Sequence, residues 1–170
     1  MAEGLGHPIY LVGAHDGAAS DPTLRRLLDR LDRPVLTDRR DDAGPLGGLD
    51  TAFSSTGAHQ VLLLACDLPF LTTSFLSFLL EQAADAAAVV PAEDDTSLHP
   101  LCAVYGRGCH DELRRRLDAG QLRVHDFAAA VGAYMLPRRR WQQFDALGRL
   151  LANLNEPADY EQALRWVDEG

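Results

Sequence analysis

The chain has 170 residues, 46% of them hydrophobic, with a formal net charge of −9 and a pI near 5.0. That length suits one domain with a full core, and the acidic surface repels nucleic acid and anionic membrane, so any phosphate must be bound locally. All 16 basic residues are arginine, which excludes a Schiff base, a P-loop lysine or any other amine chemistry from a lysine side chain.

In chain order, short apolar runs alternate with amphipathic segments, the pattern of βαβ units and a mostly parallel sheet. Ile9 to Val12 is the first predicted strand. Thr23 to Leu31 places Leu24, Leu27, Leu28 and Leu31 at helical spacing, with arginines and Asp29 on the other face, which predicts a surface helix. Pro34 to Thr37 is a second strand that ends in Asp38. Six residues later Gly44-Pro45-Leu46-Gly47-Gly48 opens a helix. Val61 to Cys66 is an uninterrupted apolar run closed by Asp67 and Pro69, the signature of a strand covered on both faces that delivers an acid to its carboxyl end.

Ser74 to Ala84 follows a threonine N-cap at Thr72 or Thr73. Ala87 to Val90, Leu101 to Tyr105 and Ala133 to Leu136 complete the strands. Gly106 to Ala119 predicts a helix closed by Gly120, and Pro157 fits the first turn of a last helix to Val167. No linker divides the chain, so residues 1–170 are expected to form one domain. No stretch approaches the roughly 18 apolar residues that span a bilayer, and no leader pattern opens the sequence. A soluble, cytoplasmic protein is expected.

Cys66, Cys102 and Cys109 form no Cys-x-x-Cys pair, and Cys66 reads as a small buried hydrophobe. The six histidines lack the close helical spacing of a metal-binding pair, so a His-based metal site is not expected. Asp67 alone serves equally well as a functional acid or as a residue that caps the next turn. Asp38 changes the weighing, because two carboxylates at strand ends on one rim suit Mg²⁺, which takes one or two protein carboxylates plus substrate phosphates. Glycines at Gly44, Gly47 and Gly48 would let backbone N–H groups approach a ligand.

His99 begins a strand after a polar loop, as either a surface residue or a base. Asn153 and Asn155 alternate before the last helix, so both can face one side of an extended segment. Arg138-Arg139-Arg140-Trp141 is the densest basic patch, suited to solvent, to one phosphate or to a docking partner. Arg114-Arg115-Arg116 fan out over a helix and read as a solvated face.

Taken in order, the Gly44 to Gly48 turn, Ala65-Cys66-Asp67-Leu68-Pro69-Phe70-Leu71, His99-Pro100-Leu101-Cys102-Ala103-Val104-Tyr105 and Asn153-Leu154-Asn155-Glu156-Pro157-Ala158-Asp159 resemble the molybdenum cofactor guanylyltransferase family. The resemblance runs from about Val35 to the C-terminus. It implies a three-layer, Rossmann-like nucleotidyltransferase fold, a GTP substrate, Mg²⁺, and transfer of GMP to molybdopterin with release of pyrophosphate. CTP is the alternative donor, and molybdoenzymes or other cofactor-biosynthesis proteins are the implied partners. Asp67 would then be the metal-binding, catalytic acid. Asp38 and Gly44, Pro45, Leu46 and Gly47 would contact the nucleotide, while Asn153, Asn155, His99 and Arg123 would lie on the acceptor side.

The family's opening signature loop, L-A-G-G-x-S-x-R-M-G-x-D-K, has no match, and the glycines of Gly13-Ala14-His15-Asp16-Gly17 lack its spacing and its cations. Ile9 to Val12 is then either the family's second strand or a first strand with a degenerate loop, within a divergent segment 1–33. Arg25 or Arg26 would partly replace the missing cations. The alternative function is a descendant that binds nucleotide, pterin or a partner protein without turnover.

Overall fold

The computed structural model describes residues 2–13, 30, 33–94 and 96–168. The predicted helix over Thr23 to Leu31, apart from Arg30, lies outside the described residues, as do Arg25, Arg26 and the segment Ala14 to Gly17. Two sheets form. β1 (Leu11–Gly13) pairs in parallel with β2 (Val35–Thr37). β3 (Gln60–Leu64), β4 (Ala88–Ala92), β5 (Cys102–Gly106) and β6 (Tyr134–Pro137) make a second sheet in the order β3-β5-β4-β6. All six predicted strands are present.

The second sheet is mixed, where a mostly parallel one was expected. β5 runs antiparallel to β3 and β4, while β6 runs parallel to β4. Connection length explains the reversal: residues 93–101 are too few for the crossover that a parallel return requires. The chain instead turns back through an Ala92–Leu98 bridge, and β5 inserts between β4 and β3. Three of the four strands still share one direction.

Six helices cover these sheets among the described residues: α1 (Gly44–Thr56), α2 (Thr73–Gln82), α3 (His110–Asp118), α4 (Val124–Ala130), α5 (Arg138–Trp141) and α6 (Pro157–Asp168). Alternation along the strands divides the core in two. Ala88, Val90, Ala103 and Tyr105 face Leu46, Leu49 and Phe53 of α1, Leu113 and Leu117 of α3, and Phe127 of α4. Val89, Cys102 and Val104 face Phe75, Leu76 and Leu79 of α2, with Trp141 of α5. The result is a three-layer α/β arrangement, as expected.

Local chemistry places the helix ends. The Thr72 hydroxyl accepts the Phe75 N–H at 3.3 Å, and Pro45 lies in the first turn of α1. Beyond the C-cap of α3, Gly120 adopts φ +68°, a left-handed conformation that glycine takes without strain. The sequence missed α4 and the one-turn α5, which are too short to show an apolar period. It also predicted one helix from Gly106, where a 3-10 turn over Arg107–Cys109 precedes α3.

β3 illustrates how the sheets meet. Val61 and Leu63 pack toward the α1 side and Leu62 and Leu64 toward the α2 side, so both faces are covered, yet all four residues stay only half-buried. The reason is an open edge: among the described residues β3 pairs only with β5, and β1 only with β2. Among the described residues β1 thus lies outside the four-stranded sheet and does not take the central place of a first strand. α1 contacts β1, β2 and β3, and bridges the two sheets.

Candidate active site

β3 ends at Leu64, so Asp67 stands three residues past the strand on a short loop. Two backbone hydrogen bonds fix that loop. The Ala65 N–H donates to the Leu101 carbonyl at 2.8 Å, and the Asp67 carbonyl accepts the Leu154 N–H at 3.0 Å. The first ties the loop to the strand opposite; the second brings the Asn153 segment beside the acid. Between these walls lies a recess of about 570 Å³ that Asp67, His99, Arg123, His125, Asp126 and Asn153 line.

Asp67 Oδ1 is buried and has no hydrogen-bond partner among the described residues. A carboxylate oxygen withdrawn from water without a donor is costly, and a cation would relieve the cost. No cluster of three or more His, Cys, Asp or Glu side chains able to hold a metal occurs among the described residues. One such oxygen does fit a hard ion that completes its shell with substrate phosphate and water.

His99 forms the opposite wall. Its backbone N–H donates to the Pro91 carbonyl at 2.9 Å, and burial holds its imidazole below the usual histidine range, against the pull of Glu93 at 3.7 Å. Glu93 also takes both carboxylate bonds of Arg138, at 2.7 and 2.8 Å. Arg138 reaches on to the buried Asp145 at 2.9 Å and stacks over Trp141 at 4.5 Å. Asp145 in turn accepts the N–H groups of Arg149 and Leu150, just before Asn153. Arg138 therefore braces the His99 wall and the asparagine wall together.

The predicted residues divide into two groups. Asp67, His99, Arg123 and Asn153 converge on the recess, while Asp38, the Gly44 turn and Asn155 do not line it. Asp38 follows β2, where the Thr51 hydroxyl donates to it at 3.3 Å and burial raises its pKa above the ordinary carboxylate value. Gly44 has φ +57°, and a Cβ on Gly47 would come within 2.7 Å of the Ala43 Cβ, so both positions need glycine. Leu46 is fully buried in the core and can offer a ligand only its backbone. Asn155 is exposed, and its N–H is held by the Asp159 carboxylate at the start of α6.

Three expectations are corrected. Cys66 is exposed, because the strand ends before it and its side chain leaves the sheet. Arg138 and Arg140 are not free: Arg140 bonds Gln82 at 2.9 Å while Arg138 braces the recess, which leaves only Arg139 of the run without a partner among the described residues. In the Arg114 to Arg116 run, Arg116 is largely buried and sits beside Glu112 at 3.8 Å, so that face is only partly solvated. The sequence reading also missed His125 and Asp126, which the unrecognised helix α4 carries into the recess.

An acid just past the end of a strand, facing arginine and imidazole in a three-layer α/β domain, places the chain among proteins of the nucleotidyltransferase fold. The same fold is seen in the molybdopterin-guanine dinucleotide biosynthesis protein A of Archaeoglobus fulgidus, with a TM-score of 0.80 and 21% identity over 95% of this chain and 79% of that one. The sequence matches the MobA-like NTP transferase domain over residues 2–131, and the chain belongs to that family.

Its relatives include a probable molybdenum cofactor guanylyltransferase of Carboxydothermus hydrogenoformans, 30% identical over 79% of this chain and 68% of the relative. Another, from Methanothermobacter thermautotrophicus, is 32% identical over 81% of this chain and 69% of the relative. A third, from Pelotomaculum thermopropionicum, is matched over 65% of its length at 28% identity. The chain thus spans about two thirds of the length of these relatives. No described helix is long and apolar enough to cross a membrane.

Proposed function

We propose that this nucleotidyltransferase-family chain transfers GMP from GTP to the terminal phosphate of molybdopterin and releases pyrophosphate. The observation that carries this reading is the buried, unpartnered Oδ1 of Asp67, a residue that lines one recess with Arg123, His99 and Asn153. A phosphate oxygen of the acceptor would attack the α-phosphorus of GTP, forming one P–O bond as the bond to the β-phosphate oxygen breaks. Asp67 would hold Mg²⁺, which supplies neutralisation of the phosphate oxygens. Arg123 carries a guanidinium with no partner among the described residues and would hold the acceptor phosphate by its forked donors. The neutral imidazole of His99 offers a hydrogen bond without adding charge. The Asp38 loop and the Gly44 turn would take the nucleoside.

Calorimetry with GTP and with CTP, each with and without Mg²⁺, tests the reading. Metal-dependent binding of GTP that disappears in Asp67→Ala is expected, followed by pyrophosphate release when molybdopterin is added. Failure to bind either nucleotide overturns it. A second reading, binding without turnover, is favoured by the absence of lysine and of a match to the family's signature loop, which leaves fewer cations to offset developing charge. Nucleotide binding without pyrophosphate release would select it.

A further inference from the structure

A second recess, of about 270 Å³, lies away from Asp67 in the groove between α1 and α3. Arg39 and Arg40 enter it from the loop after β2, Ser54 from α1 and Arg114 from α3, with Asp50 at its floor. Most described arginines are engaged: Arg107 bonds two carbonyls, Arg115 and Arg116 lie against Glu112, and Arg138 and Arg140 have the partners given above. Arg39 and Arg114 have no partner for their guanidinium groups among the described residues. A chain of net charge −9 has brought two idle guanidinium forks to the wall of one cavity.

The acid in the same recess is already satisfied. Asp50 is buried, with His110 Nε2 at 2.8 Å from Oδ1 and Arg40 Nε at 3.5 Å from Oδ2. Arg40 reaches on to Asp118 at 2.7 Å. These contacts hold the floor in place and leave the guanidinium donors of Arg39 and Arg114 for something else. The Ser54 hydroxyl has only a long contact to Asp50, at 3.5 Å. Two exposed, unpartnered forks and a hydroxyl that line one recess suit a tetrahedral oxyanion with several acceptor oxygens, and guanidinium matches phosphate in a bidentate manner.

We propose that this groove binds a small phosphate-bearing anion, of the size of phosphate or pyrophosphate, independently of the Asp67 recess. Its walls also reach the Asp38 loop. The Arg39 N–H donates to the Thr51 hydroxyl at 3.1 Å, and that hydroxyl donates to Asp38. An anion held by Arg39 would brace the loop that the proposed function gives to the nucleoside.

The test is calorimetric titration of the full chain with inorganic pyrophosphate, and then phosphate, without divalent metal. Saturable binding is expected in the wild type and in Asp67→Asn. The Arg39→Ala/Arg114→Ala double variant should bind at least about tenfold more weakly, since charge-assisted hydrogen bonds are lost at both forks. Arg139→Ala, which removes an unpartnered exposed arginine elsewhere, should leave the affinity within about twofold, because surface charges act weakly beyond a Debye length. No binding by the wild type, binding unchanged in the double variant, or binding lost in Asp67→Asn would each overturn the proposal. The last result would place the anion at Asp67 and leave the proposed transferase site standing.

Discussion

The two sheets are built from similar residues and differ in what surrounds them. In the four-stranded sheet, β4 is buried along its whole length and Cys102 to Tyr105 of β5 are fully buried between two helical layers. In the pair β1 and β2, Val12 and Val35 remain 37% and 46% exposed, although they are as apolar and β-branched. Composition therefore marks a strand, and neighbours decide whether it is core. The difference also divides the site. Asp67, His99, Arg123 and Asn153 hang from the well-packed sheet, whereas Asp38 and the Gly44 turn follow the lightly covered pair.

The largest effect is expected deep in the four-stranded half. Trp141 is fully buried, packs against Phe75 at 5.8 Å and donates its indole N–H to the Leu136 carbonyl at 3.2 Å. Trp141→Ala should cost about 3–5 kcal/mol of stability from lost burial and a residual cavity, measured by urea unfolding. A loss below about 1 kcal/mol would mean that this half is no better packed than the β1–β2 pair, and would break the comparison.

A smaller loss is expected at the brace between the recess walls. Asp145→Ala leaves one buried and one partly buried N–H group without an acceptor and frees one end of Arg138, for a cost of about 2–3 kcal/mol. Because the brace supports Asn153, the metal-dependent nucleotide binding proposed for the recess should weaken as well in the same calorimetry. Arg138→Lys is the sharper variant. It keeps the charge but loses the fork that spans Glu93 and Asp145, so it should show part of the same loss.

These supports explain what could be read from sequence. Strand existence was legible at all six runs because short apolar, β-branched runs mark strands whether or not neighbours bury them, and Asp67 was legible because an acid ended such a run. The direction of β5 was not, since it depends on a nine-residue connection returning beside its neighbour instead of crossing over. His125 was not, because α4 is too short to carry a period. Arg138 looked like a surface charge, since its partners Glu93 and Asp145 are distant in sequence and meet it only through folding. Cys66 was misread because the strand stops two residues earlier than the apolar run does.

Acid titration should separate the two halves by sign. Burial lowers the folded-state value of His99 from its ordinary 6.5, so as pH falls below about 6.5 the unfolded chain takes up a proton that the folded one refuses. Stability should fall through that window and then level off. Asp38 is shifted the other way, above its ordinary 3.8, mainly by burial and against the Thr51 bond. Between 3.8 and its raised value the folded chain holds more protons, so there its contribution improves as pH falls. Urea midpoints between pH 7.5 and 4 for wild type, His99→Asn and Asp38→Asn should show the first slope removed by one substitution and the second by the other. Slopes of the same sign would contradict the burial assigned to one of the two residues.

The smallest effect is expected at β1. Val12 lies against Gly48 of α1, where a Cβ on the glycine would sit 3.6 Å from the valine Cγ1, yet more than a third of the residue's surface faces solvent. Val12→Ala therefore removes little buried area and should cost under about 1 kcal/mol, several times less than Trp141→Ala. Amide exchange gives the same contrast without substitution. The N–H groups of Leu11 and Asp38, bonded at 2.9 Å to Pro34 and Gly13, should exchange far faster than those of Val89 and Val104, because opening the pair uncovers little core. Equal protection would show that the pair shares the cooperative unit of the large sheet, with α1 as the element that couples them.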